Sequence, residues 1–201
     1  MAPTTSPGRD WRTELPTLIG RIVMLREPAP QDAGVLLDVL SVGDAARFGL
    51  NHPLSEDAVK DLIERAAQTR KTGASFTYAI TTSPAHPVVG LIQLRQLDPT
   101  FETAEAECVI APSARGTGAF IESARLAGSF AFDTVGVHRI ESRVETHNGR
   151  ANGALRKLGA VQEGILRRAL RKGDEHIDQV LWAVLREDWG DRWVPTAPRV
   201  H

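Results

Sequence analysis

Residues 112–164 read PSARGTGAFIESARLAGSFAFDTVGVHRIESRVETHNGRANGALRKLGAVQEG. Pro112 closes a strand over Ala104–Ala111, and Ser113–Gly118 forms a glycine-containing turn. A long helix follows from about Ala119 to Val135, because Phe120, Ala124, Ala127, Ala131 and Val135 fall on one face. His138–Glu145 alternates Ile140 and Val144 with charge, the period of a half-buried strand. Asn148 caps a helix that runs to Leu158 and stops at Gly159. Val161–Leu170 and Glu175–Leu185 then read as a hairpin across Lys172–Gly173–Asp174.

Upstream, Arg21–Arg26 is a short strand closed by Pro28 and Pro30, and Gln31–Leu40 carries Ala33, Leu36, Leu37 and Leu40 at helical spacing. Ser55 is an N-cap followed by Glu56 and Asp57, with Val59, Leu62, Ile63, Ala66 and Ala67 on the face behind it and Gly73 as the stop. Phe76–Thr82 and Val88–Leu97 are strands joined across the Pro-flanked SPAHP turn. The order β-α-α-β-β-β-α-β-α-β-β predicts an α/β (α+β) chain, a mixed sheet with helices on its faces. Residues 1–15 read as a mobile arm, 16–189 as one domain and 190–201 as a tail.

The chain has 201 residues, 42% hydrophobic and 24% charged, the balance of a soluble globular protein. A formal charge of −1 excludes the net-basic field of a general nucleic-acid or anionic-membrane binder. The lone cysteine, Cys108, excludes an intrachain disulfide and any multi-cysteine zinc or iron–sulfur site, and the six histidines lack metal-ligand spacing. No apolar run approaches the ~20 residues that span a bilayer, and MAPTTSPGRDWRTELP lacks the apolar stretch of a signal peptide. The expected compartment is the cytoplasm.

The chemistry concentrates at Arg115-Gly116-Thr117-Gly118. A glycine turn before a helix presents unpaired N–H groups at the positive end of the helix dipole, which suits a phosphate or pyrophosphate. Arg115 adds a charge-assisted donor. There is no P-loop Lys-Ser/Thr pair, and Ile121 stands where a dinucleotide fingerprint needs its third glycine or alanine.

The order of glycine turn, helix, H-R-I strand, N-x-x-x-N helix and K-L-G-A-V strand resembles the GNAT acyl-CoA-dependent N-acyltransferase superfamily, in particular its RimJ/RimL-like (ribosomal-protein acetyltransferase) branch, over about residues 21–187. The resemblance implies a mostly antiparallel central sheet of about seven strands flanked by about four helices. In the family's R-x-x-G-x-G/A pattern Arg115 and Gly118 match, while Phe120 replaces the final small residue. The backbone of Arg115, Gly116, Thr117, Gly118 and Ala119 would hold the pyrophosphate of coenzyme A. Cys108, Val109 and Ile110 match the splayed strand that pairs with pantetheine and polarises the thioester carbonyl. Asn148 and Asn152 match asparagines that face the cofactor arm, and an N-cap role for Asn148 is compatible with this.

Transfer to an amine requires loss of a proton from nitrogen. Glu105 occupies the family's strand glutamate position and Glu107 lies on the same side of the strand; His147 is a further base candidate. The helix Tyr or Ser that reprotonates the leaving thiolate in relatives is missing: Ala151 stands at the serine position, and Tyr78 is the lone tyrosine. The implied reaction is acetyl transfer from acetyl-CoA, a co-substrate, to a primary amine by direct attack in a ternary complex. The acceptor is a peptide N-terminus, a lysine or a small amine, with no metal. Non-catalytic acyl-CoA binding and transfer of a larger acyl group are the alternatives. Neither nucleic acid nor membrane is an expected partner, and the chain is expected to be a monomer or homodimer. Acceptor specificity is expected from Pro28–Gly73, with Asp32, Asp38, Asp44 and the Phe48–Leu54 loop, and from the Arg167–His176 hairpin. Trp182 and Trp189 are expected in the C-terminal core, and Trp11 and Trp193 on a self-association or substrate-covering surface.

Overall fold

The computed structural model describes residues 10–40, 47–50, 54–82 and 87–190. The element order is β1 (Leu18–Ile19), β2 (Met24–Arg26), α1 (Ala33–Val39), α2 (Glu56–Lys71), β3 (Ser75–Thr81), β4 (Val88–Gln96), β5 (Thr103–Ile110), α3 (Ala119–Phe130), β6 (Arg139–Glu145), α4 (Gly149–Lys157), β7 (Val161–Lys172) and β8 (Glu175–Leu185). The strands form one eight-stranded sheet in the order β1-β2-β3-β4-β5-β6-β8-β7. Neighbours pair antiparallel except β5 and β6, which run parallel. The added strand is β1, whose two residues are too short to show a period.

Local chemistry accounts for the helix ends. Ser55 Oγ accepts the Ala58 N–H at 3.2 Å, with Glu56 and Asp57 in the first turn of α2 and Arg70 and Lys71 in the last. The face predicted to run to Val135 is continuous, but α3 proper ends at Phe130 and Ala131–Val135 forms a wider π turn. On one side of the sheet, α1 and α2 bury Leu36, Val59 and Leu62 against Leu91 and Val109; on the other, α3 covers Phe76, Tyr78, Ile92 and Leu94. Each such side chain contributes roughly 1.5–3 kcal/mol by leaving water. A smaller core under α4 includes Val144, Leu155, Val180 and Trp182.

Residues 11–15 do not belong to the predicted N-terminal arm. Trp11 and Leu15 are buried, and the Trp11 ring meets Phe76 and Phe101 edge-on at centroid distances of 5.9 and 6.0 Å. Trp11 is therefore a core anchor rather than part of an interaction surface. Isolated anchors of this kind carry no periodicity, so the segment looked unstructured. Trp189 packs on α3 as expected: Nε1 donates to Ser129 Oγ at 3.0 Å, and a Cβ at Gly128 would stand 2.7 Å from the indole. Residues 1–9, Asp44, His52, the Ser83–His86 part of the SPAHP turn, and Trp193 with the rest of 191–201 lie outside the described residues. No helix among those described is long and apolar enough to cross a membrane.

Candidate active site

The parallel pairing of β5 with β6 ends at Glu105↔Glu141. Beyond it the strands part, with Ser142 Oγ donating to the Ala106 carbonyl at 3.0 Å. The Ala111 N–H donates to Val89 O at 2.7 Å, which commits the odd-numbered residues of β5 to β4. The backbone groups of Ala106, Cys108 and Ile110 therefore face the opening. Val109 lines the same opening, yet its carbonyl turns toward Gly90 on β4, so its ladder groups are not offered to a ligand.

At the mouth of the opening, Gly116 and Gly118 have φ of 82° and 92°, a region that favours glycine. The N–H groups of Gly116, Gly118, Phe120 and Ile121 meet no acceptor among the described residues, and the same residues line a groove of about 1030 Å³. This is an anion cradle at a helix start. Arg115 Nε donates to Ile110 O at 3.1 Å, which holds the guanidinium beside the cradle. Of the expected backbone contributors, the Ala119 N–H is spent locally on the Thr117 hydroxyl at 3.3 Å, which itself donates to Ala114 O at 2.7 Å. Glu122 steadies the turn from behind by accepting the N–H groups of Arg21, Ile22 and Val23 at 2.9, 2.7 and 2.8 Å.

The facing wall is α4. Arg150, Gly153, Ala154 and Lys157 line the groove at i, i+3, i+4, i+7, a small-and-basic stripe that gives room for a cofactor arm and charge for its phosphates. Asn148 lines it too, but its Oδ1 accepts the Ala151 N–H at 3.1 Å, so the side chain is the N-cap. Asn152, expected to face the cofactor, points the other way. Its Nδ2 donates to Glu145 O at 3.1 Å and Asn148 O at 2.9 Å, and its Oδ1 accepts Trp182 Nε1 at 2.8 Å. A position next to groove-lining Ala151 and Gly153 does not place a side chain in the groove, because α4 turns ~100° per residue.

On the opposite face of the sheet the odd-numbered residues of β5 and β6 form a charged floor. Glu105 is 4% exposed and pairs with Arg95 and with Arg143, whose Nη1 lies 3.3 Å away. Arg143 Nη2 also reaches Glu141 at 3.7 Å, and Arg139 holds Glu141 at 2.9 Å and Glu163 at 2.5 Å. These carboxylates, Glu163 first, hold the Arg139 guanidinium above its ordinary range against the opposing effect of burial. Nearer the opening, Arg47 bridges Glu107 at 4.0 Å and Glu145 at 3.9 Å, and Glu145 also receives His147 Nε2 at 2.8 Å and Lys172 Nζ at 3.3 Å. Tyr78 is remote from this chemistry. It is fully buried with its hydroxyl on Pro16 O at 3.1 Å, and burial followed by the Glu27 charge pushes its pKa far up.

A family model described as the acetyltransferase (GNAT) domain matches residues 23–161. The chain belongs to the GNAT acetyltransferase family. It is an acyl-CoA-dependent acetyltransferase with the mixed α/β GNAT fold. Among curated relatives it is similar to the uncharacterized N-acetyltransferase YoaA of Bacillus subtilis, at 24% identity over 82% of this chain and 93% of that one. It is also 28% identical to the uncharacterized N-acetyltransferase YnaD of the same organism, a match that spans 43% of this chain and about half, 51%, of YnaD. A solved structure of Mycobacterium smegmatis RimJ, in complex with CoA-disulfide, superposes with a TM-score of 0.71 at 19% identity, covering 83% of each chain.

In this GNAT chain the sequence reading located the glycine turn and both β5 glutamates, but missed Arg47, Glu145 and the Arg150/Lys157 stripe. Two signals were available. Arg139, Glu141, Arg143 and Glu145 place charge at every odd position of β6, and Arg150, Gly153, Ala154 and Lys157 repeat at helical spacing.

Proposed function

We propose that the protein transfers an acetyl group from acetyl-CoA to a primary amine by direct attack in a ternary complex, as a member of the RimJ/RimL-like branch. The observation that carries this reading is the parting of β5 and β6. It joins an anion cradle on one face to a carboxylate-lined floor on the other. Acetyl-CoA supplies an activated thioester carbonyl. The N–H groups of Gly116, Gly118, Phe120 and Ile121, with Arg115, Arg150 and Lys157, bind its phosphates, and the open edge of β5, with the Ile110 N–H, polarises the carbonyl.

The amine enters from the charged floor. Of the two β5 carboxylates, Glu105 is engaged by two guanidiniums and holds Arg143 in place. Glu107, 4.0 Å from Arg47, lines the opening and removes the amine proton. Ala151 offers no acid to the thiolate side, so water returns that proton.

The test is a thiol-release screen with acetyl-CoA against peptide N-termini, lysines, polyamines and aminoglycosides, with mass spectrometry on each hit. A product heavier by one acetyl group on nitrogen is expected, and Glu107→Gln should lower kcat at least tenfold and remove the acid limb of its pH profile. Absence of acetyl-CoA binding at high micromolar concentration in calorimetry would overturn the reading.

A further inference from the structure

The opening between β5 and β6 does not end at the sheet. A second cavity of about 100 Å³ continues inward from Cys108 and Phe120, which line both it and the groove. Its walls are apolar: Leu94 of β4, Ile140 and Val144 of β6, Leu155 of α4, Trp182 of β8 and Trp189 beyond it. The room comes from small side chains opposite these walls, namely Ala106, Ala124, Gly128 and Ala160. Its polar lining, Arg47, Glu107, Ser142 and Arg143, belongs to residues at the opening and on the charged floor.

Apolar walls favour an apolar occupant, since water against them finds few partners. The deep end lies on the α3/α4 side of the sheet, the side of the cofactor groove, whereas the charged floor lies on the other. A chain attached to the thioester carbonyl at Ile110 enters this cavity directly. The acceptor amine meets the cavity at its polar end, at Glu107 and Arg47, which leaves the apolar deep end to the chain. At ~15–30 Å³ for each small occupant, about 100 Å³ holds roughly three to six heavy atoms.

We infer that this cavity is an acyl-chain pocket, so that the enzyme transfers straight-chain acyl groups of about four to six carbons as well as acetyl. The inference rests on the acyl-CoA reading of the groove and extends its donor class. The bonds exchanged are unchanged. The amine nitrogen bonds to the carbonyl carbon, and the carbon–sulfur bond breaks with its pair on sulfur. The amine's proton leaves through the base, and water supplies one to the thiolate. The chain itself takes no part beyond burial, worth about fourfold in affinity per methylene.

The experiment compares kcat/KM for acetyl-, butanoyl- and hexanoyl-CoA on one accepted amine, with calorimetric affinities of the same three thioesters in the absence of amine. Butanoyl- and hexanoyl-CoA are expected to bind at least tenfold tighter than acetyl-CoA and to turn over within threefold of it. Ala124→Leu and Ala160→Leu, which fill the deep end from α3 and from the residue just before β7, should each lower the hexanoyl rate more than thirtyfold. Either variant should leave acetyl transfer within threefold, which also shows that it is folded. Hexanoyl-CoA binding no tighter than acetyl-CoA, or turning over more than thirtyfold slower in the unmodified protein, overturns the pocket while leaving the acetyltransferase reading intact. Loss of acetyl and hexanoyl transfer in equal measure in both variants also overturns it. Failure of all three thioesters to bind overturns both readings.

Discussion

Replacing Asn152 by alanine separates two roles for that residue. Its side chain holds three groups together: the Trp182 indole N–H at 2.8 Å, and the carbonyls of Glu145 and Asn148 at 3.1 and 2.9 Å. Trp182 is 2% exposed, so alanine strands a buried donor at a cost of about 1–3 kcal/mol. The two carbonyls, both in part-buried bonds, lose about 0.5–1 kcal/mol each. The total is about 2–5 kcal/mol, or roughly 4–20 °C in melting temperature for a chain of this size. Urea unfolding and thermal melting measure the loss, and calorimetry with CoA well below the melt measures the groove. Because the side chain points away from the groove, Kd should change less than threefold. Trp182→Phe in the Asn152→Ala background should cost less than it does alone, since the pair shares one bond. A Kd raised tenfold or more with a melting shift below about 2 °C would make Asn152 a cofactor ligand and refute this reasoning.

Gly118→Ala forces a left-handed φ of 92° on a residue with a Cβ, at about 1–2 kcal/mol, and sets that atom 3.1 Å from Ile22 Cδ1. CoA affinity in calorimetry should fall at least tenfold. Glu122→Ala removes three charge-assisted bonds to the Arg21–Val23 backbone and should cost about 2–4 kcal/mol in urea unfolding, with Glu122→Gln intermediate. Asp98 caps the turn between β4 and β5. The Thr100 hydroxyl and the Thr103 N–H hold its pKa down to about 2, below the usual 3.8. Its contribution is thus present above the unfolded value and is lost as pH falls from about 4 toward 2. Melting curves across that window should drop further for the natural protein than for Asp98→Asn.

What the sequence determined on its own is local. The glycine turn at Arg115–Gly118, the Ser55 and Asn148 caps, the Gly173 hairpin and the strand and helix periods each depend on backbone dihedrals or on residues a few positions apart. Their placement was legible because those constraints act within a single element. The β5 glutamates were legible as carboxylates on one face, but their inequality was not. Glu105 is neutralised by Arg95 across one strand pair and by Arg143 across the other, and Glu107 meets Arg47 from a separate loop. Trp11 in the core and Asn152 bound to Trp182 have the same origin. Partners far apart in the chain meet only once β8 has inserted between β6 and β7 and the N-terminal segment has closed over Phe76. The opening itself is also tertiary. It exists because β5 and β6 stop sharing a ladder after Glu105↔Glu141, and neither strand carries a mark of that in its own residues.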